Sequence, residues 1–139
     1  MIAVLLFAAL LQAAPVFGDE AASDAIWSDL FNSAFLHSGG VSQSWLFGRD
    51  KARPPTVRIR QLRCRPYFSA HRCTFALERT PDPAASVEDR REASMLKCDT
   101  RLVANEAGMQ PAWKVPHRPL EPQDEHSLTT MICRVARAR

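Results

Sequence analysis

The most definite chemistry in this sequence belongs to its four cysteines: Cys64, Cys73, Cys98 and Cys133. Zinc sites commonly use cysteine pairs with about two to four intervening residues, and redox-active pairs use the Cys-x-x-Cys spacing. The nearest two cysteines here are nine positions apart. An even number of cysteines without either spacing favours two disulfides. On sequence locality we favour Cys64–Cys73 with Cys98–Cys133, and the other two pairings stay open.

Arginines supply the second candidate chemistry. Residues 49–77 carry eight Lys and Arg side chains and a single carboxylate, Asp50, whereas residues 19–47 carry four carboxylates and no Lys or Arg. Tyr67 and Phe68, at the tip of a predicted hairpin, would add stacking contacts to a basic surface. The competing interpretation is a solvated strand face that pairs in part with the acidic N-terminal segment. Five arginines form the candidate face for an anion or a partner: Arg58, Arg60, Arg63, Arg65 and Arg72.

Histidines and carboxylates cluster near the C-terminus without a recognisable motif. The stretch from His117 to His126 also contains Glu121, Asp124 and Glu125, which are metal-ligand types. It is rich in proline and has neither the H-E-x-x-H nor an H-x-H spacing. The sequence also lacks a G-x-S-x-G nucleophile elbow. We therefore predict no catalytic residue, no cofactor and no metal site.

Periodicity predicts the elements that position these side chains. Apolar residues at helical spacing predict an amphipathic helix over about 23–38, followed by a linker over 41–55. Residues 56–137 alternate with a period of two in several segments, and a slip of phase near Arg60 and Gln61 predicts a β-bulge. The fold class is therefore α+β: an N-terminal amphipathic helix followed by a mainly antiparallel sheet of four or five strands, tied by two disulfides.

The N-terminus predicts the compartment. Residues 2–11 are an unbroken apolar run, followed by small residues, which is the order of a secretory signal. We place the cut after Gly18, which leaves residues 19–139 as a single small domain in the periplasm of a Gram-negative cell or outside the cell. A buried N-terminal helix and an uncleaved anchor are the competing interpretations. The mature part has no second long apolar run, so we expect no transmembrane span there.

Together these features predict an exported, non-enzymatic binding or inhibitor-type module with a basic β-hairpin face. Its partner would be an acidic protein or an anionic polymer of the cell envelope. Nucleic acid is not expected for an exported chain whose net charge is only +3. Two other functions stay open. A small hydrolase would use carboxylates or histidines, because acid–base pairs have no linear signature, and an envelope accessory protein would act through the N-terminal helix.

Overall fold

A computed structural model describes residues 14–33, 40–119 and 127–136. Three helices lie in these ranges: α1 (Asp19–Ser33), α2 (Gln43–Phe47) and α3 (Val87–Arg91). The strands are β1 (Thr56–Tyr67), β2 (Ala70–Thr80), β3 (Met95–Ala104), β4 (Trp113–Lys114), β5 (His117–Pro119), β6 (Ser127–Thr129) and β7 (Ile132–Val135). One main helix with an antiparallel sheet confirms the α+β prediction.

The main sheet has five strands in antiparallel pairs. Its central strand is β3, which pairs with β2 along one edge. Along its other edge β3 pairs with β7 near its start and with β4 near its end. The long β1 pairs with β2 as the predicted hairpin, and β5 and β6 form a separate two-stranded ribbon. The strand count agrees with the expected four or five.

Both disulfides join residues that stand directly opposite each other on neighbouring strands. Cys64 faces Cys73 in the β1–β2 hairpin, and Cys98 faces Cys133 across β3 and β7. Each pair has a Cα–Cα distance of 4.1 Å. The favoured pairing is therefore confirmed, and all four cysteines of the chain are used. We call the two bridges the hairpin disulfide and the β3–β7 disulfide.

The first helix begins four residues earlier than the pattern predicts. We expected the helix to begin at about residue 23, but α1 starts at Asp19, and the Gly18 carbonyl accepts a hydrogen bond from the Ala22 amide at 2.9 Å. Two carboxylates in the first turn suit the positive end of the helix dipole. The helix places Ile26 and Leu30 in one core with the inward side chains of β2 and β3. Its expected end, over 34–38, lies outside the described residues.

The segment 41–55, expected as a linker, contains the short helix α2. Ser42 caps it by accepting a hydrogen bond from the Trp45 amide at 3.2 Å. Trp45 is buried, and its indole N–H donates to the Ala93 carbonyl at 2.8 Å. Trp45 is thus a core residue that ties α2 to the segment before β3. Within the described ranges, no helix is long and apolar enough to cross a membrane.

A buried ion pair locks α2, β2 and α3 together. The Arg79 guanidinium donates to the Trp45 carbonyl at 2.7 Å and to the Asp89 carbonyl at 2.6 Å. It also lies 3.5 Å from the Asp89 carboxylate, and both side chains are at most 2% exposed. The same carboxylate accepts from the Arg49 amide at 3.0 Å. Each buried charge therefore has several polar partners, as a stable buried pair requires.

Candidate anion-binding face

The four predicted arginines of β1 lie on one side of the strand because of a bulge. Before the bulge Arg58 and Arg60 are exposed while their neighbours are partly buried, and after it Arg63 and Arg65 continue on the same side. The pairing register shifts between Arg60 and Arg63, and Gln61 has a φ of 56°. In a regular strand, the odd spacing between Arg60 and Arg63 would place Arg63 and all later arginines on the opposite face from Arg58 and Arg60. A bulge absorbs the extra residue and keeps them on one face. The predicted bulge is thus what keeps the stripe continuous.

The stripe extends across the whole sheet. Opposed residues of antiparallel strands share a face, so the outward side chains of β1, β2, β3 and β7 form one surface, which we call the basic face. One cross-strand row runs Arg65–Arg72–Arg101, and another runs Arg60–Ala76–Lys97–Arg134. Its cationic side chains are the five predicted arginines together with Lys97, Arg101 and Arg134.

Two carboxylates, Glu78 and Asp99, lie on the basic face and neutralise a small part of it. Arg60 is 3.7 Å from Glu78. Arg72 donates to both oxygens of Asp99, at 3.3 and 2.8 Å. The hydrogen bond and the charge of Asp99 raise the pKa of the Arg72 guanidinium above its ordinary value. Arg72 therefore stays cationic at every accessible pH, and eight cations against two carboxylates leave the face at +6.

The acidic helix does not neutralise the basic face. The buried residues of α1 join the core formed by the inward side chains of the sheet, so the helix lies behind the arginines. Among the described residues, none of the ion pairs joins α1 to the basic face. The described residues therefore do not support the alternative from the sequence, in which the arginines pair in part with the acidic segment.

Shallow depressions flank the Arg72–Asp99 pair. One, of about 390 Å³, has Arg63, Arg65 and Thr74 on its walls. The other, of about 240 Å³, lies between Tyr67 and Arg101. Both are open to solvent and lined largely by charged or polar side chains. Such a surface suits an extended anion that lies across the strands rather than a small apolar ligand, which needs a deep apolar pocket.

The hairpin tip presents aromatic rings at the end of the basic face. Tyr67 and Phe68 are 41% and 92% exposed, with ring centroids 5.0 Å apart. Phe68 has a φ of 55°, a conformation that costs a bulky residue energy and that glycine adopts freely. Apart from its edge contact with Tyr67, this large apolar ring is left in solvent by a strained turn, so burial does not offset the strain. This position is therefore a candidate contact residue.

The histidine and carboxylate stretch from His117 to His126 is only partly described. Glu121, Asp124, Glu125 and His126 lie outside the described residues. Nε2 of His117 makes a short contact with the buried carboxylate of Asp29, which also accepts from the Thr129 hydroxyl at 2.6 Å. His117 and Asp29 border a groove of about 510 Å³ that Ser28 also lines. No cluster with the composition of a metal site occurs in the part of the chain that the structure describes.

Neither protein-family models nor curated proteins nor solved structures match this chain. The interpretation of the basic face therefore depends on its own geometry and charge.

Proposed function

We propose that this protein is an exported, non-enzymatic binding module that holds a polyanion against its basic face. One observation carries the proposal. The face has a charge of +6, whereas the whole chain has only +3, so the rest of the chain has a net charge of −3 and the excess positive charge lies on this face. A surface with one dominant sign of charge attracts a partner of the opposite sign and orients its approach. The two disulfides are consistent with an oxidising compartment.

The side-chain types support a polyanion as the ligand. Arginine presents a planar set of N–H donors that matches carboxylate and phosphate groups, and it is less strongly hydrated than lysine. The row Arg65–Arg72–Arg101 places three guanidinium groups on adjacent strands, which are separated by about 4.8 Å. Paired strands hold the backbone of all three residues in place, so little backbone entropy is lost on binding. The partner we favour is an anionic polymer of the envelope or an acidic protein.

Charge reversal tests the proposal with a matched control. The test variant combines Arg65→Glu with Arg101→Glu, both exposed on the basic face. The control combines Arg91→Glu with Arg118→Glu, which are also exposed, change the net charge equally and lie off the face. Heparin and poly-L-glutamate serve as probes of a sugar polyanion and an acidic polypeptide, at low and physiological salt. Binding to each is measured by calorimetry, and circular dichroism checks that both variants are folded.

We expect the test variant to bind at least about tenfold more weakly, because each reversal replaces an attraction by a repulsion. The control should bind nearly as the unmodified protein does, and salt should weaken all binding. The proposal is wrong if neither probe binds at low salt. It is also wrong if the two variants lose affinity equally, since the location of the charge would then be irrelevant.

A hydrolase remains the second candidate, and one observation favours it. His117 and Asp29 are in contact beside a groove that also contains Ser28, and a carboxylate that orients a histidine is a common part of a general base. An untargeted screen of ester, peptide and glycoside substrates tests this function. Turnover that disappears in a folded His117→Gln variant would support the hydrolase and contradict the binding module.

A further inference from the structure

Two residues just before α1, Val16 and Phe17, contact the folded domain, although the sequence places them in the export signal. The ring of Phe17 stacks in parallel on His71, with centroids 3.6 Å apart. It also meets the indole of Trp113 edge-on at 5.1 Å. The carbonyl of the preceding residue, Val16, accepts a hydrogen bond from the Trp113 indole N–H at 3.2 Å. Residues 16 and 17 therefore close one side of a tryptophan that is only 4% exposed.

Gly18 contributes to the same junction through its backbone. Its carbonyl accepts the first hydrogen bond of α1, from the Ala22 amide. A cut after Gly18 would remove this acceptor and would make Asp19 the N-terminal residue, with a charged amine. A positive charge there opposes the helix dipole, whose N-terminal end is itself positive. The cut would also remove both ring contacts of Phe17 and would leave the Trp113 indole N–H without its partner.

We propose that residues 16–18 belong to the mature domain and that the signal peptidase cuts between Ala13 and Ala14. This inference depends on the proposed export. A cut after Ala13 has the small residue Ala13 directly before the scissile bond, and it places Ala14 between that bond and Pro15. The mature chain then begins at Ala14 and keeps the aromatic contacts of Phe17 and the capping carbonyl of Gly18.

The direct test is the N-terminus of the exported protein. The full chain with a C-terminal tag is produced in a Gram-negative host, recovered from the periplasm, and analysed by N-terminal sequencing and intact mass. We expect Ala14 as the first residue. Asp19 as the first residue would overturn this inference alone. An exported but uncut chain would likewise overturn this inference alone, whereas a chain that stays in the cytoplasm would overturn export and this inference together.

A stability measurement tests the same inference by another route. Chains that begin at Ala14 and at Asp19 are compared by thermal unfolding, and we expect the shorter chain to melt about 10 °C lower or more. Within the longer chain, Phe17→Ala should give most of that loss. The neighbouring Val16→Ala is the control, because the Val16 side chain is 89% exposed. Equal melting temperatures for the two chain lengths would overturn the claim that residues 16–18 belong to the domain.

Discussion

The buried pair Arg79–Asp89 offers a sharp test of the packing. Arg79→Met keeps the aliphatic stem of the side chain and removes its charge and donors. The Trp45 and Asp89 carbonyls then lose a donor, and a carboxylate at most 2% exposed loses its counter-charge. Breaking one partner out of a buried pair costs about 3–5 kcal/mol. That is a large part of the roughly 5–15 kcal/mol that stabilises a domain.

The assay is urea unfolding followed by tryptophan fluorescence, with the disulfides intact. Trp45 adjoins the pair, so its emission reports on this region. We expect Arg79→Met to lower the free energy of unfolding by about 3–5 kcal/mol. Arg58→Met makes the same chemical change on the exposed face and should change it by less than about 0.5 kcal/mol.

A second substitution isolates the pair itself. The double variant Arg79→Met with Asp89→Leu removes both charges and should recover a part of the loss, because an apolar pair avoids the uncompensated buried charge. If the free energy of unfolding of the Arg79→Met variant lies within about 1 kcal/mol of that of the unmodified protein, the reasoning is refuted.

Three further predictions concern the disulfides, the hairpin tip and the contact of His117. Removing the hairpin disulfide should lower the free energy of unfolding by about 2.7 kcal/mol, and removing the β3–β7 disulfide should lower it by about 3.8 kcal/mol, because the second closes a longer loop. Urea unfolding of the two double-serine variants checks this order, and the reverse order would contradict the loop argument. Phe68→Gly should stabilise the hairpin by about 1 kcal/mol, since glycine accepts the positive φ, and unchanged affinity for heparin would show that the ring is not a contact residue. His117→Ala should cost about 1–3 kcal/mol by depriving the buried Asp29 carboxylate of a partner, and thermal unfolding that matches the unmodified protein would contradict this.

The sequence predicted the long strands of the main sheet, the bulge and the Cys64–Cys73 pairing because these depend on local patterns. Period-two alternation shows which side chains share a face, and the slip of phase at Gln61 shows where one residue is extra. Cys64 and Cys73 are close in the sequence, which favoured their pairing and left Cys98 to pair with Cys133. Their direct opposition in the sheet follows from the strand order, which a linear pattern does not contain.

Five of the eight cations of the basic face could be predicted, and the other three depended on strand order. The arginines of β1 and β2 are near neighbours in the sequence. Lys97, Arg101 and Arg134 are dispersed, and only the pairing of β3 with β2 and β7 brings them to the same side. A signal was present nonetheless. If Cys98 and Cys133 are opposed, then Lys97 must face Arg134, because antiparallel register runs in opposite directions from a fixed pair.

Long-range polar contacts were beyond local patterns. Asp29 and His117 are 88 residues apart, and nothing in their neighbourhoods indicates that they meet. Asp89 lies in a charged stretch that is typical of a solvated loop, yet it is buried because Arg79 reaches it from β2. The helix α2 has only five residues, which is too short for helical periodicity to be visible.

The central claim is that one face of the sheet binds a polyanion, and nuclear magnetic resonance tests its location most directly. Isotope-labelled protein is titrated with a heparin oligosaccharide at low salt, and the amide shifts are mapped on the strands. The account predicts that the largest shifts fall on β1, on β2 and on β3 from Lys97 to Arg101, and that added salt reverses them. Shifts concentrated at the groove beside His117, or no shifts at all, would contradict it.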